Sequence, residues 1–186
     1  MIYPIVIYGD PVLRKQAEDI RQDYPELGQL IKDMFETMYN AHGVGLAAPQ
    51  IGKPIRLFVV DASPVDESTR DFKKVFINPE IIEEGEEECK FEEGCLSIPG
   101  LRENVMRPDE ITIKYLDENF QPHEETFTGL ASRVIQHEYD HIEGILFTDH
   151  ISAFRKSMVR SKLSAMAKGE VDADYPYKVY QSKKRK

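Results

Sequence analysis

Residues 137 to 141 read His-Glu-Tyr-Asp-His, a pattern whose residue types and spacing can do chemistry. In a helix, His137 and His141 stand about one turn apart on the same face, where two imidazoles can bind one metal ion. Glu138 can then act as a general base on a water beside that metal. The alternative is a polar helix that carries two unrelated histidines.

The residues around this pattern predict the helix that the pattern needs. Residues 130–144 contain no proline, follow Gly129 and end at Gly144, a typical helix stop. Apolar side chains and both histidines recur at helical spacing along one stripe, which consists of Leu130, Val134, His137, His141 and Ile142. We therefore expect the two histidines to face the protein interior.

A catalytic metal of this kind needs a third protein ligand and one open position. Cys95, within Glu-Gly-Cys-Leu-Ser at residues 93–97, is the candidate. Gly94 would let the backbone approach the metal closely because it has no Cβ. Two alternatives stay open: Cys95 is a small buried hydrophobic residue, or it forms a disulfide with Cys89, which a reducing compartment disfavours. We expect Cys89 to be a packing residue.

Residues 43–52, Gly-Val-Gly-Leu-Ala-Ala-Pro-Gln-Ile-Gly, have the composition of a substrate cleft. The glycines and Pro49 predict an irregular or strand-edge backbone with exposed amide groups. Gln50 would offer an amide donor at the end of this apolar run, and the alternative is a turn with a capping glutamine. A phosphate loop is disfavoured because Lys53 is followed by Pro54 rather than by Ser or Thr opening a helix.

Hydrophobic periodicity predicts the elements that must position these residues. The predicted helices cover residues 24–40, 130–144 and 152–167, and the predicted strands cover residues 55–61, 74–78, 110–116 and 123–128. Residues 62–73 are polar and predict an exposed loop. Ser152 and Gly169 would cap the last helix. Helices and strands in this order indicate an α+β domain rather than an alternating parallel fold.

The composition is that of one globular domain, with 186 residues, 41% of them apolar and 31% charged. The amino terminus lacks the basic region of an export signal, and no apolar stretch approaches the roughly twenty residues of a membrane span. With two cysteines, the expectation is a cytoplasmic protein without a membrane partner.

Charge is unevenly distributed along the chain. Residues 1–150 hold 14 Lys and Arg against 30 Asp and Glu, a balance of −16, whereas residues 151–186 hold 10 against 3, a balance of +7. The body should repel nucleic acid, so no sequence-specific nucleic-acid binding is expected, while the carboxyl end could approach an anionic partner. The alternative is a solvated basic helix and a frayed tail. The acidic run over residues 83–93 indicates a solvated strand edge, since a strand spreads its carboxylates over both faces.

The segments GVGLAAPQ, EGCLS and QHEYDH together resemble the three signature motifs of the peptide deformylases. They occur in that family's order and approximate spacing, and the resemblance covers about residues 1–168. It implies antiparallel β-sheets around a central helix that carries the His-Glu-x-x-His pattern, followed by a C-terminal helix. A catalytic domain would span residues 1–168, and residues 169–186 would be a C-terminal extension.

The resemblance implies a metal-dependent hydrolase that removes the N-formyl group from the initiator methionine of nascent polypeptides and releases formate. Cys95, His137 and His141 would hold Fe(2+), which Zn(2+), Ni(2+) or Co(2+) could replace, and a metal-bound water would be the nucleophile. Glu138 would serve as general base and then as general acid. The Gln50 side chain and the Leu96 N–H would stabilise the oxyanion.

Substrate contacts also follow from the resemblance. The formylated peptide would pair by strand addition with backbone near Val44 and Gly45. Its methionine side chain would enter an apolar pocket beside Leu130 and Val134.

Structural support and a larger partner are implied as well. Glu93 would pair with Arg107 beside the site, whereas Arg133 has no assigned role. In some relatives the last helix docks on the ribosome, and the basic residues that would contact ribosomal RNA phosphates here are Lys156, Arg160, Lys162 and the terminal Lys183–Lys186.

Two other classes of protein compete with this interpretation. A zinc metallopeptidase shares the His-Glu-x-x-His pattern, but it would need a third ligand downstream, where His150 and Glu143 are the nearby candidates and neither lies in a recognisable motif. A non-catalytic relative with a structural metal site would normally have a fourth protein ligand and no use for Glu138 or Gln50.

Overall fold

Three α-helices, four short 3-10 helices and nine strands make up the structure, a computed structural model that describes residues 1–181. The helices are α1 (Leu27–Asn40), α2 (Gly129–Ile142) and α3 (Ala153–Ala167). The strands are β1 (Ile5–Val6), β2 (Gly45–Ala47), β3 (Leu57–Asp61), β4 (Lys73–Glu84), β5 (Glu88–Cys95), β6 (Ile98–Pro108), β7 (Ile111–Leu116), β8 (Pro122–Phe127) and β9 (Tyr177–Lys178).

A five-stranded antiparallel sheet in the order β2-β3-β4-β7-β8 separates two helices. On β3, Leu57 and Val59 join the hydrophobic cluster of α1, while Phe58 and Val60 join the cluster of α2. Side chains alternate between the faces of a strand, so a strand covered on both sides must be apolar throughout. That requirement explains why residues 57–60 of β3 are all apolar.

Two smaller sheets complete the fold. The long hairpin of β5 and β6 is antiparallel, and β1 pairs with β9 in parallel. A third hydrophobic cluster joins β6 to α3 through Ile98, Val105, Val159 and Leu163. The α+β expectation is therefore confirmed, with antiparallel sheets in the main layer.

The helix that carries the His-Glu-x-x-His pattern, α2, ends in a tightly constrained turn. The Ile145 N–H donates to the Asp140 carbonyl at 2.9 Å, and the Gly144 N–H donates to the His141 carbonyl at 3.4 Å. Gly144 adopts a φ of 75°, and a Cβ there would stand 2.6 Å from the carbonyl oxygen of Arg14. Gly144 thus stops the helix as predicted, although the last helical residue is Ile142.

Two predicted boundaries are wrong for local backbone reasons. Helix α1 begins at Leu27 rather than Tyr24, because Glu26 before it has a left-handed φ of 54°. Strand β4 continues past Asn78 to Glu84. Asn78 has a φ of 48° and the β4–β7 pairing shifts its register there, so the Asn78-Pro79 pair makes a bulge instead of ending the strand.

The other local predictions are close to the observed structure. Ser152 caps α3, since its Oγ accepts a hydrogen bond from the Arg155 N–H at 3.2 Å, and Gly169 follows the helix with a φ of 102°. Strand β2 lies at an edge of the sheet, as the glycines of residues 43–52 predicted. The loop over residues 62–73 is mostly exposed but is anchored by the buried Thr69, whose Oγ1 donates to the Ala62 carbonyl at 2.8 Å. No helix within residues 1–181 is long and apolar enough to cross a membrane.

Candidate metal centre and active-site cleft

Three side chains that can bind a metal converge where the end of β5 meets α2. The ligand atoms of Cys95, His137 and His141 all lie within 4.8 Å of one another, and Cys95 Sγ stands 3.3 Å from His141 Nε2. Metal–sulfur and metal–nitrogen bonds of roughly 2.0–2.3 Å can bridge such separations. One thiolate and two imidazoles also leave a coordination position open, so the residues fit a catalytic metal ion.

Cys89 is not part of this cluster. No disulfide joins it to Cys95, and both thiols are free. Cys89 Sγ instead accepts a hydrogen bond from Arg133 Nη2 at 3.3 Å. The expected role of Gly94 beside the metal stays a prediction, and a Cβ there would meet Arg102 Nη1 at 2.8 Å. Gly94 therefore makes room for the Arg102 guanidinium.

Glu138 lies in the same centre with one oxygen unpartnered. The side chain is 4% exposed, and its Oε2 accepts no hydrogen bond within the described residues. Burial raises the pKa of this carboxyl to about 7, since desolvation disfavours the charged form. A carboxyl with such a pKa, in the same cleft as Cys95 and His137, can hold and release a proton near neutral pH.

Gln50 is fully buried and points its amide nitrogen at the cysteine loop. Its Oε1 accepts from the Ala47 N–H at 2.9 Å, so the capping alternative describes one end of this side chain. Its Nε2 donates to Ser97 Oγ at 3.2 Å and stands 3.6 Å from Cys95 Sγ. Sequence reasoning missed Ser97, although it is the last residue of Glu-Gly-Cys-Leu-Ser.

Glu93 is the centre of a buried ionic network behind the metal ligands. Its carboxylate accepts from Arg107 at 2.7 and 3.0 Å, from Arg133 Nη1 at 2.7 Å, and pairs with His137 Nδ1 at 2.8 Å. Burial would raise the pKa of Glu93, but hydrogen bonds from His137 and Arg107 outweigh it and hold that pKa well below its usual range. The carboxylate thus stays charged and directs the other ring nitrogen of His137 toward the centre. Arg133, to which the sequence analysis assigned no role, is the third partner of the Glu93 carboxylate, after Arg107 and His137.

The downstream residues that a metallopeptidase would use point elsewhere. His150 Nε2 pairs with Asp140 Oδ2 at 2.7 Å, and Glu143 Oε1 pairs with Arg56 Nη1 at 2.5 Å. Neither belongs to the metal-binding group found among residues 1–181. The third ligand candidate is therefore Cys95, upstream of the helix.

A cleft of about 760 Å³ opens over the centre. It brings together the residues predicted to touch substrate, since its lining includes Val44, Gly45, Leu96, Leu130 and Val134. Residues 172–175 also line it, and no sequence signal pointed to them.

Comparisons with known proteins agree with this geometry. A family model described as Polypeptide deformylase matches residues 2–157. The peptide deformylase of Christiangramia forsetii is 55% identical over 99% of this chain and 99% of its own. The structure of a peptide deformylase from Legionella pneumophila, 42% identical, superimposes with a TM-score of 0.80 over 90% of this chain and 96% of its own.

A more distant solved structure shares the same fold. Peptide deformylase 1B of Arabidopsis thaliana, in complex with an inhibitor, is 35% identical and superimposes with a TM-score of 0.81 over 89% of this chain and 90% of its own. Sequence similarity along nearly the whole chain and similarity of fold thus point the same way as the converging cysteine and histidines. This chain belongs to the polypeptide deformylase family.

Proposed function

We propose that this chain is a metal-dependent deformylase, which hydrolyses the N-formyl group of the initiator methionine of nascent polypeptides in the cytoplasm and releases formate. The observation that carries the proposal is the convergence of Cys95, His137 and His141 beside the buried, unpartnered Glu138. The metallopeptidase and non-catalytic alternatives are not favoured, because relatives that match nearly the whole chain are peptide deformylases.

Cys95, His137 and His141 would hold the metal, and we propose Fe(2+), with Zn(2+), Ni(2+) or Co(2+) able to replace it. One thiolate and two imidazoles suit each of these borderline ions. When bound, the metal supplies a nucleophile near neutral pH by lowering the pKa of a water molecule.

Glu138 would move the proton that the reaction releases. Hydrolysis adds a hydroxyl group to the formyl carbon and breaks its bond to the methionine nitrogen. Glu138 takes the proton from the water and delivers it to the departing amine, so that formate and a free amino terminus leave. Its burial and its pKa of about 7 support this double role.

Gln50 and Leu96 would stabilise the charge that develops on the formyl oxygen. Hydrogen bonds at its oxygen, from the Ala47 N–H, and at its nitrogen, to Ser97 Oγ, already orient the Gln50 amide. Leu96 lines the same cleft. Preorganised donors of this kind are worth about 3 kcal/mol each in well-studied hydrolases.

The substrate peptide would extend the main sheet. β2 is an edge strand that pairs only with β3 within the described sheet, so its outer side can accept an extended peptide at Val44 and Gly45. The methionine side chain would then pack against Leu130 and Val134 on α2.

Helix α2 is proposed as the central helix of the fold, with Glu93 and Arg107 as its structural support. The division into a catalytic domain, residues 1–168, and an extension, residues 169–186, stays a prediction. The extension is in contact with the body, since β9 pairs with β1.

Helix α3 could dock on the ribosome through its exposed basic residues. Lys156 and Arg160 are exposed, whereas Lys162 Nζ donates to the Gly100 carbonyl at 2.6 Å. The terminal residues Lys183–Lys186 lie outside the described residues. Deleting residues 152–186 would remove the buried Val159, Leu163 and Met166, so charge reversal of Lys156 and Arg160 to Glu is the sharper test. Unchanged co-sedimentation of this variant with ribosomes would contradict the docking.

The activity itself is tested by supplying a formyl-methionyl peptide to the iron-loaded protein under anaerobic conditions. We expect formate release and no cleavage of internal peptide bonds. Glu138→Gln should bind the metal as the parent does and lose roughly 100-fold to 10,000-fold of its turnover. Cleavage of internal bonds, or full turnover by Glu138→Gln, would refute the proposal.

A further inference from the structure

Residues 170–179, here called the strap, turn back from α3 across the catalytic body. The Ile5 N–H donates to the Pro176 carbonyl at 2.9 Å, and the Ile7 N–H donates to the Lys178 carbonyl at 3.0 Å. Val171 and Val179, near its two ends, pack against the hydrophobic cluster of β6 and α3. The strap is therefore anchored at both ends.

Between these anchors, Tyr175 reaches the turn that joins the cysteine strand to β6. Its hydroxyl donates to the Leu96 carbonyl at 2.7 Å, across 79 positions of sequence. Its ring is half-buried and packs against the cluster of α1 and β3. Burial raises the pKa of this phenol to about 12, so the hydroxyl keeps its proton at neutral pH and remains a donor.

The rest of the Leu96-Ser97 turn is held from other directions. The Tyr8 N–H donates to the Ser97 carbonyl at 2.9 Å, and Gln50 Nε2 donates to Ser97 Oγ. A Cβ on Gly43 would stand 2.8 Å from Leu96 Cδ1, so the Leu96 side chain lies directly against Gly43. Among residues 170–181, Tyr175 is the residue that hydrogen-bonds to this turn.

We propose that Tyr175 is a positioning residue for deformylation: through the Leu96 carbonyl it fixes the turn whose Leu96 N–H meets the formyl oxygen of the substrate. The inference rests on the proposed function, because it assigns Tyr175 to the same reaction. A misoriented oxyanion donor weakens stabilisation of the transition state and leaves ground-state binding of the peptide unchanged. Loss of the hydroxyl should therefore lower kcat and leave KM alone.

The test compares Tyr175→Phe with the parent enzyme, because phenylalanine keeps the ring and its packing. We expect kcat for a formyl-methionyl peptide to fall about tenfold, a fraction of the effect of losing a whole oxyanion donor. KM should stay within about twofold, with equal metal content per chain. Tyr180→Phe is the matched control, since Tyr180 lies just past the strap and is 46% exposed, and it should behave as the parent.

A second measurement does not depend on activity. Amide hydrogen exchange at residues 95–97 should accelerate in Tyr175→Phe, because the turn loses one of its hydrogen bonds, and should be unchanged in Tyr180→Phe. A merely structural role would instead lower the melting temperature and accelerate exchange throughout the body.

The outcomes separate the two hypotheses. Absence of formate release by the parent enzyme would refute the proposed function. An active parent whose Tyr175→Phe variant has the same kcat would overturn the positioning role alone. A rise in KM without a fall in kcat would also overturn it, since the strap would then bind the peptide directly, and so would loss of fold together with activity.

Discussion

The main chain at Gly45 lies so close to Glu138 that a Cβ on residue 45 would stand 2.5 Å from Oε1 and 2.8 Å from Cγ. Glu138 is buried, with 4% of its surface exposed. The missing side chain of Gly45 therefore leaves the space that the Glu138 carboxylate occupies. A residue type in one motif is explained by a side chain in another, 93 positions away along the printed sequence.

Gly45→Ala should lower catalytic activity strongly and the stability of the fold only modestly. The new methyl group displaces the Glu138 carboxylate by about an ångström, and such a shift can cost about 100-fold in kcat. Overpacking should also lower the free energy of unfolding by about 1–3 kcal/mol. The measurements are steady-state kinetics and urea denaturation.

The control for that variant is Gly28→Ala on α1, where a Cβ would meet nothing within 4 Å. It should keep full activity and gain about 0.5–1 kcal/mol of stability, since alanine favours a helix over glycine. Full activity in Gly45→Ala would show that Glu138 tolerates displacement.

The two cysteines should differ in their effect on metal binding. Cys95→Ser should bind metal much more weakly, because a hydroxyl replaces the thiolate of the ligand cluster. Cys89→Ser should bind as the parent does, since Cys89 contacts Arg133 instead. Metal content by elemental analysis, together with the fall in melting temperature on chelation, measures this. Equal metal content in both variants would remove Cys95 from the ligand set.

Removing the charge of Glu93 should destabilise the protein. Glu93→Gln leaves the buried Arg133 without its carboxylate and Arg107 with Asp140 as its remaining one, so the free energy of unfolding should fall by about 3–5 kcal/mol. It also removes the partner of His137 Nδ1, so metal affinity should fall about 10-fold to 100-fold. Glu92→Gln is the matched control, because Glu92 is 61% exposed and pairs with the exposed Arg102. A control as unstable as Glu93→Gln would contradict the assignment to the buried network.

Asp61 should contribute to acid unfolding. Burial would raise its pKa, but hydrogen bonds from Ser63 and Tyr39 outweigh this and lower the pKa of Asp61 below its usual value. The folded pKa thus lies below the unfolded one, about 3.9. The resulting stability is fully present above the unfolded pKa and is lost as pH falls through the folded pKa.

Asp61→Asn cannot titrate, so its free energy of unfolding should depend less steeply on pH between about 5 and 2. Chemical denaturation at several pH values measures the slope. Tyr39→Phe, which removes one of the donors, should give an intermediate slope. If the slope of Asp61→Asn equals that of the parent, another carboxylate carries the acid sensitivity.

Local patterns predicted much of the fold, and they failed where a strand buries charge. Alternate residues of strand β6 are buried, and among them are Leu101, Glu103, Val105 and Arg107. Two of these four buried side chains are charged. A search for apolar alternation does not find such a strand. Its charges are neutralised by partners elsewhere in the chain, Arg155 for Glu103 and Glu93 for Arg107.

The sequence by itself predicted the two histidines of the candidate metal centre and the carboxyl beside them. His137, Glu138 and His141 lie within one helical turn, so their spacing alone places them together. Only the tertiary structure decided what surrounds them: Arg133 on Glu93, Ser97 on Gln50, Arg102 beside Gly94 and Tyr175 on the Leu96 carbonyl. Each of these contacts joins separate elements, and local periodicity carries no information about pairs that become neighbours only when the chain folds.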